Sequence, residues 1–277
     1  MSVRACILTR MDTKIPPSLR RVIAEQAGVA SRQQLLRAGV SRTTVDSKHK
    51  RGLWQQLHPG VYGTFTGTAT REAHLWAAVL YAGPGALLSH ETAAELCHLI
   101  DDPVRPLHVS VPFGRRVSPP PGVQVHMRRA MPRSQPALSP PRTTVEETVL
   151  DLTQTANSVD DAIGWLARAC ARRLTTPARI ARTIAGRRRV RWRRILCAAL
   201  DDVALGCHSL LELRYLRDVE RAHNLPVGLL DRQTEALRPA LLARTTLRKI
   251  VAIATRFLHI SEAEPLSPSR RPSRRPW

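Results

Sequence analysis

The residues best placed to do chemistry lie between Gly39 and Tyr62, in the stretch GVSRTTVDSKHKRGLWQQLHPGVY. A basic helix is predicted to open at Val40 and Ser41 and to run to about Arg51, and a short hairpin follows it. A helix fits the major groove of duplex DNA, where Arg, Thr and Ser reach base edges and flanking cations meet phosphates. The candidate DNA-binding residues are Arg42, Thr43, Asp46, Ser47, Lys48, Lys50, Arg51, Gln55, Gln56 and His58.

The same stretch has an interpretation that makes no use of DNA. Val45 and His49 are four residues apart and are predicted to face inward, so the outer face can be a solvated or protein-docking surface. The hairpin can simply cover the core. Asp46 repels phosphate, although a carboxylate can accept a hydrogen bond from cytosine N4. DNA binding and a purely structural role therefore both stay open on these residues alone.

Two further clusters attract functional interpretations. The run GRRRVRWRRIL, residues 186–196, places six arginines around Trp192 and can hold a nucleic-acid backbone or form a solvated helix face. Ser89, His90 and Glu91 are adjacent, and adjacent side chains at a helix start point in different directions, so they do not build a catalytic triad. We expect Ser89 to cap a helix and Glu91 to favour its positive end.

Composition limits the class of protein. The 277 residues carry a formal net charge of +21, which favours polyanionic partners. A GC-rich gene also encodes many arginines, which is an alternative source of this charge. The five cysteines form no C-x-x-C pair, so neither a disulfide framework nor a zinc site is indicated. No apolar run approaches the roughly 20 residues of a membrane span. We expect a reduced, cytoplasmic protein with no catalytic residue, no metal and no cofactor.

Three short helices must position the basic stretch. After a loose arm, Ser18 is predicted to cap a helix from Leu19 to about Ala27, and Ser31 caps a second one that Gly39 closes. The basic helix is the third, which gives a helix-turn-helix arrangement. The segments LWQQLH and VYGTF then read as strands joined by a type II turn at Pro59-Gly60, where a winged helix carries its wing.

The chain after Thr70 has a different character. Two helices are predicted on either side of Gly83-Pro84-Gly85, and PLHVSVPF and GVQVHMRR alternate as strands do. Four more helices are predicted over residues 144–154, 159–174, 176–186 and 191–205. Ser209 and Glu212 form a capping box for another helix, which Asn224 and Pro226 end.

After Gly228 the pattern is lost. The segment TTLRKIVAIATRFLHI is ambiguous, and SPSRRPSRRPW is low in complexity and cannot bury a core. We expect an α+β chain in five parts. These are a flexible arm (1–17), a winged helix-turn-helix (18–66), a mostly helical α/β regulatory domain with a small β element (70–205), a fragmentary helix (206–228) and a disordered, non-native tail (229–277).

Several quoted stretches together resemble a known family. RQQLLRAGVSRTTV, RGLWQQLHPGVY, GPGALLSHETAAEL, TTVEETVLDL and HSLLELRYLRDVERAHNLP are similar, in this order, to actinobacterial proteins that begin with an AbiEi-type antitoxin winged-helix domain. The resemblance covers roughly Pro17 to Pro226. Members of that group often end in an endonuclease-like domain of the PD-(D/E)xK superfamily, similar to very-short-patch repair nucleases. Such a domain needs clustered carboxylates for Mg²⁺, and after Gly228 only Asp231, Glu235, Glu262 and Glu264 are acidic.

The resemblance implies a sequence-specific DNA-binding antitoxin or transcriptional regulator. It implies double-stranded DNA and a toxin protein as partners, and a middle domain that regulates or neutralises. The alternatives are an endonuclease that has lost its acidic core, with Glu212 as its remnant, and a decayed gene product. A truncation or frameshift near Gly228 is expected on the same comparison.

Overall fold

The computed structural model describes residues 15–204, which all belong to one compact unit, Met1–Ser209. The first part holds three helices and a small sheet. Their bounds are α1 (Pro17–Glu25), β1 (Val29–Ser31), α2 (Arg32–Arg37), α3 (Arg42–Lys50), β2 (Gln55–His58) and β3 (Val61–Gly63). The sheet is antiparallel with the order β1-β3-β2, so the predicted helix-turn-helix with a following hairpin is present.

Local sequence signals explain these elements. The Ser31 side chain accepts from the Gln34 amide while the Gln34 side chain returns to the Ser31 amide, which is a complete capping box for α2. Ser41 caps α3 by accepting from the Thr44 amide. The hairpin turns at Pro59-Gly60, where Gly60 has a φ of 74° that favours glycine. The turn and a cap at Ser31 were predicted at these positions, whereas for α3 the sequence predicted only that the helix opens at Val40 and Ser41.

Two predictions for this part were wrong. Ser18 does not cap α1, because Pro17 already occupies the first helical position and Pro16 is the N-cap, with no side-chain hydrogen bond. His49 does not lie in the core. It is exposed, its Nδ1 lies 3.2 Å from the Trp54 carbonyl oxygen, and its ring meets the edge of Tyr62. The bulky Trp54 and Tyr62 side chains are buried in the core beside Val45 and leave the histidine at the rim.

The second part combines a small sheet with six helices within the described residues. Its elements are α4 (Arg71–Ala82), β4 (Leu87–Leu88), α5 (His90–Leu96), β5 (Leu107–Pro112), β6 (Val123–Arg128), α6 (Val145–Thr155), α7 (Val159–Ala171), α8 (Pro177–Gly186) and α9 (Arg193–Ala204). The sheet order is β4-β5-β6, and β5 and β6 run parallel, with Ser110 opposite His126. Both strands were predicted from their alternation, whereas the parallel register was not.

The sheet of the second part has two chemically different faces, because neighbouring side chains on a strand point in opposite directions. Leu107, Val109 and Val111 of β5 lie in an apolar cluster with Leu75 and Val79 of α4. The intervening positions of β5 and β6 include four polar side chains. They are His108, Ser110, His126 and Arg128.

Helix α4 is apolar on more than one side and joins the two parts. Ala73 and Ala77 pack with Val29 and Val61 of the first sheet, while Leu75 and Val79 face the second. The sequence REAHLWAAVLYA, with small alanines between large residues, allows both close approaches. The mixed α+β class predicted from the sequence is therefore confirmed for residues 15–204.

Several predicted features lie outside the described residues. These are the arm up to residue 14, the capping box of Ser209 and Glu212, and everything after Gly228. Within residues 15–204, no helix combines the length and the apolarity that a membrane crossing needs.

The packing of the first part can be tested at Leu35, which is completely buried in its core. We expect Leu35→Ala to lower the free energy of unfolding by about 2–5 kcal/mol, because the truncated side chain leaves a cavity. Leu53→Ala is the matched control, since Leu53 is 38% exposed and should change stability by about 0.5 kcal/mol or less. Urea unfolding of both variants measures the difference. Equal effects of the two changes would contradict the described core.

Candidate nucleic-acid interface and a buried histidine centre

The outer face of α3 presents most of the predicted DNA-binding residues together. Arg42, Thr43, Ser47 and Lys50 are exposed and fall on one side of the helix, while Val45 on the opposite side is fully buried. Arg51, the C-cap residue, is also exposed, and Lys48 is half-buried. The chain thus carries an exposed, basic, hydroxyl-bearing helix of the shape that enters a major groove.

Asp46 is held by a partner within the protein. Arg32, the first residue of α2, donates from Nη2 to Asp46 Oδ1 at 2.7 Å and also hydrogen bonds to the Tyr62 hydroxyl. These two hydrogen bonds, that to Tyr62 first, raise the pKa of Arg32. One guanidinium therefore links α2, α3 and β3, and the carboxylate beside the basic face is balanced by a cation.

The three hairpin candidates differ in their surroundings. Gln56 is exposed, whereas the Gln55 amide donates to the Gly67 carbonyl at 2.8 Å. His58 leans toward Tyr81 of α4, with ring centroids 5.6 Å apart. Burial, and to a lesser extent His74, lowers the pKa of His58, so this side chain is neutral at pH 7. Of the three, Gln56 is the one with an open side chain toward solvent.

The arginine-rich run is partly used inside the protein. Arg191 lies over the Trp192 ring at 3.6 Å and donates to the Ala156 carbonyl. Arg193 donates to the Ile184 carbonyl at 2.8 Å. Arg187 pairs with Glu147 and with Asp151. The exposed arginines of this run include Arg188, Arg189 and Arg194.

The predicted role of Ser89 as a helix cap was wrong. Ser89 occupies the N-cap position of α5 but makes no side-chain capping hydrogen bond. Its Oγ instead lies 2.9 Å from Nδ1 of His90 and accepts from the Ser110 hydroxyl at 2.9 Å. The reason is that Ser89 faces the polar side of the second sheet, where other partners compete for its hydroxyl. Ser89 and His90 are both buried.

Three histidines meet at this polar side and form, with Glu91, what we call the histidine centre. His90 stacks on His126 with ring centroids 3.7 Å apart, and His108 Nδ1 lies 3.0 Å from His126 Nε2. Glu91 Oε2 lies 3.3 Å from His108 Nδ1. One ligand nitrogen from each of the three rings falls within a span of 4.8 Å, so these are residues of the described chain that can hold a metal ion together.

A buried ion-pair network borders the histidine centre. The Asp151 side chain is fully buried, and it accepts from Arg128 at 2.8 Å and from Arg187 at 3.0 Å. Arg128 also donates to His90 Nε2 at 3.2 Å. Burial raises the pKa of the Asp151 carboxyl, and the two guanidinium groups oppose that rise.

The three imidazoles of the histidine centre are held neutral by their surroundings. Burial, followed by the neighbouring His126 and Arg128, lowers the pKa of His90 to about 2. Burial, His108 and Arg128 lower that of His126 to about 4. Burial also lowers the pKa of His108, which the Glu91 carboxylate partly offsets. At pH 7 each imidazole therefore has one nitrogen without a proton.

The sequence alone did not indicate His108 and His126 as members of the histidine centre, or Asp151 as the carboxylate that borders it. The available signal was their placement at polar positions of two alternating strands and of a helix. Only the parallel register of β5 and β6, in which Ser110 lies opposite His126, brings the two strand histidines side by side.

The comparisons with known proteins concern the first part of the chain. Residues 18–63 match the family described as transcriptional regulator, AbiEi antitoxin. A search of curated proteins finds no match. The matched residues begin within α1 and end with β3, so they contain the helix-turn-helix and its hairpin and confirm the predicted AbiEi-type domain. The nuclease-like C-terminal part stays a prediction, and Glu212 lies outside the described residues.

Stability should fall as the pH drops below about 6.5, where unfolded histidines take up protons that buried His90 and His126 do not. Each such histidine lowers the free energy of unfolding by at most about 1.4 kcal/mol per pH unit of acidification. The raised pKa of Asp151 has the opposite effect on the free energy of unfolding. Urea unfolding at pH 7.5 and pH 5 in metal-free buffer measures the loss. His90→Asn should show a shallower pH dependence; the same slope in both proteins would contradict a buried, neutral His90.

Proposed function

We propose that this protein is a sequence-specific, DNA-binding transcriptional regulator of the AbiEi antitoxin type that inserts α3 into the major groove. The observation that carries the proposal is the family match over the same residues that form an exposed basic helix and its hairpin. Family membership of this segment supports a regulatory DNA-binding role. The exposed face of α3 carries side chains that can hydrogen bond to the base edges of DNA.

The residues of α3 divide by chemistry. Arg42, Thr43 and Ser47 carry the hydrogen-bonding groups that distinguish base pairs, and Arg pairs well with guanine. Lys50 and Arg51 lie at the far end of the helix and suit phosphates, with Lys48 at its side. Gln56 of the hairpin extends this surface.

Asp46 fits this role once its partner is considered. The ion pair with Arg32 offsets the negative charge that would repel phosphate, so the basic face keeps its net attraction. The same contact joins α3 to α2 and to Tyr62 of β3. We infer that Asp46 acts mainly by orienting α3, and that contact with a cytosine amino group is secondary.

A toxin protein is the second partner that the proposal implies. The matched family is described as an antitoxin as well as a regulator, so neutralisation of a toxin belongs to the same proposal. The second part of the described chain, from α4 to α9, is the surface left for that role when the first part is on DNA. No catalytic step is required for either function.

Binding to duplex DNA should weaken steeply with salt. We expect the affinity for a duplex from upstream of the protein's own gene to fall between about 50 and 200 mM salt, because bound phosphates release counterions. The triple variant Arg42→Ala, Lys48→Ala, Lys50→Ala should weaken binding and reduce the log–log salt slope by about 2–3. Fluorescence anisotropy titrations measure both quantities.

The control for that experiment removes three positive charges elsewhere. Arg168, Arg173 and Arg182 are exposed residues of the second part, and their triple alanine variant has the same net charge as the α3 variant. It should bind DNA with an affinity close to that of the unaltered protein. If the two triple variants lose affinity equally, binding depends on overall charge and the role given to α3 is wrong.

Alanine variants of Arg42 and Arg51 should differ in how strongly they discriminate between DNA sequences. We expect Arg42→Ala to cost about 1–3 kcal/mol on the upstream duplex and much less on a scrambled duplex of equal length. Arg51→Ala should weaken binding to both duplexes alike, since a phosphate contact carries no sequence information. The ratio of the two dissociation constants is the measured quantity. A ratio unchanged by Arg42→Ala would remove this residue from the reading surface.

A further inference from the structure

We propose that the histidine centre binds one divalent transition-metal ion of the zinc type, with His90, His108 and His126 as ligands. The three side chains come from α5, β5 and β6, so the fold and not a local motif brings them together. This proposal concerns the second part of the chain and is independent of how the first part meets DNA.

The spacing of the nitrogens suits a metal after small side-chain adjustments. Imidazole nitrogens bind Zn²⁺ at about 2.0–2.1 Å, which places two ligands of a tetrahedral ion about 3.3 Å apart. His108 Nδ1 and His126 Nε2 lie 3.0 Å apart, and the three ligand nitrogens all lie within 4.8 Å of one another. Small rotations of the rings therefore suffice to close the site around an ion.

The centre has more hydrogen-bond acceptors than protons to share. His108 Nδ1 can carry one proton, yet it faces both His126 Nε2 and the Glu91 carboxylate. Within residues 15–204, Glu91 Oε2 and Asp151 Oδ2 are buried and have no hydrogen-bond partner, and Asp151 Oδ2 lies 4.0 Å from His90 Nδ1. A buried acceptor without a partner is costly. A cation between the rings and Glu91 removes this deficit.

Charge also favours a cation. Arg128 and Arg187 pair with the carboxylates of Asp151 and Glu147, whereas the Glu91 carboxylate lies 3.3 Å from His108 Nδ1. A metal ion beside Glu91 therefore places positive charge at the carboxylate that these two ion pairs do not include. Neutral imidazole is the form that ligates metals.

His90 needs one exchange of partners to join the site. Its Nε2 accepts from Arg128, so its proton sits on Nδ1 and points to Ser89 Oγ. A metal can take the Nε2 lone pair because Arg128 keeps its ion pair with Asp151 at 2.8 Å. Ser89 Oγ then accepts a hydrogen bond from the protonated Nδ1 of His90, as outer partners of metal-bound histidines commonly do.

The backbone supplies a separate observation on His90. It has a φ of 50°, a left-handed conformation that costs a residue other than glycine about 1–2 kcal/mol. Strain of this kind persists where the surrounding structure requires one side-chain position. Here it directs a buried imidazole onto the rings of the two strand histidines.

The ligand set indicates the class of metal. Three imidazoles with a carboxylate nearby suit Zn²⁺, Ni²⁺ or Co²⁺, whereas Mg²⁺ and Ca²⁺ prefer oxygen ligands. A tetrahedral ion with three histidines has its fourth position for Glu91 or water. Zn²⁺ is therefore the probe for binding, and Co²⁺ reports geometry through its visible absorption.

The test uses the full chain, stripped with a chelator and titrated with Zn²⁺ by calorimetry. We expect one ion per chain at this site, a rise in melting temperature on binding, and a Co²⁺ spectrum typical of tetrahedral nitrogen and oxygen ligands. The double variant His108→Gln, His126→Gln should lose affinity by at least about 100-fold, because even outer partners cost about 10- to 100-fold. The matched control His74→Gln, His98→Gln should bind as the unaltered protein does.

X-ray absorption of the zinc-loaded, unaltered protein keeps the proposal testable if the double variant does not fold. Three imidazoles around zinc with no sulfur support the site. Sulfur in the coordination shell, equal affinity of the double variant and the unaltered protein, or no uptake of Zn²⁺, Ni²⁺ or Co²⁺ would each overturn it. DNA binding measured on the same samples is a separate readout, so failure here leaves the proposed function standing.

Discussion

A small winged-helix unit has too little chain to cover its sheet on both sides. Domains of about 40–60 residues are marginal because they bury a small fraction of their surface. Here α1–α3 cover one side through Leu19, Leu35 and Val45, and α4 covers the other through Ala73 and Ala77. The winged-helix unit therefore depends on a helix of the second part, and the two parts share one compact unit within the described chain.

Helix α4 also packs against the sheet that carries two residues of the histidine centre. Its second apolar side packs against β5, which carries His108 on the opposite face of the sheet. Beyond β5 lie β6 and α6, joined by the buried pair of Arg128 and Asp151. Asp151 is fully buried, so removal of both of its partners, Arg128 and Arg187, would leave a buried charge without compensation, at a large cost. The centre and the wing thus belong to one continuous set of packed elements, although each has its own chemistry.

Helix starts and turns, which depend on neighbouring residues, could be predicted from the sequence. Contacts between residues far apart in the chain could not. Ser31 and the Pro59-Gly60 turn act on neighbouring atoms, so their roles could be predicted directly, as could the start of α3 at Val40 and Ser41. The three-residue strand β1 gave too short a pattern, and it exists because β3 offers it a partner. The histidine centre required the parallel register of β5 and β6, for which adjacent residues give no signal. Asp151 lies on an amphipathic helix, where a carboxylate ordinarily faces water. Here it is buried and forms ion pairs with Arg128 and Arg187, which are distant in sequence. Of the candidate DNA-binding residues, the exposed side of α3 could be predicted from helical spacing, whereas the tie between Asp46 and Arg32 could not.

Hydrogen–deuterium exchange of the full chain, with and without the upstream duplex, tests the central claim most directly, because it reports where DNA meets the protein without altering any residue. Slowed exchange is expected in peptides covering α3 and the hairpin, residues 42–63, with little change in the second part. Protection confined to the arginine-rich segment, residues 186–196, with none over α3, would contradict it.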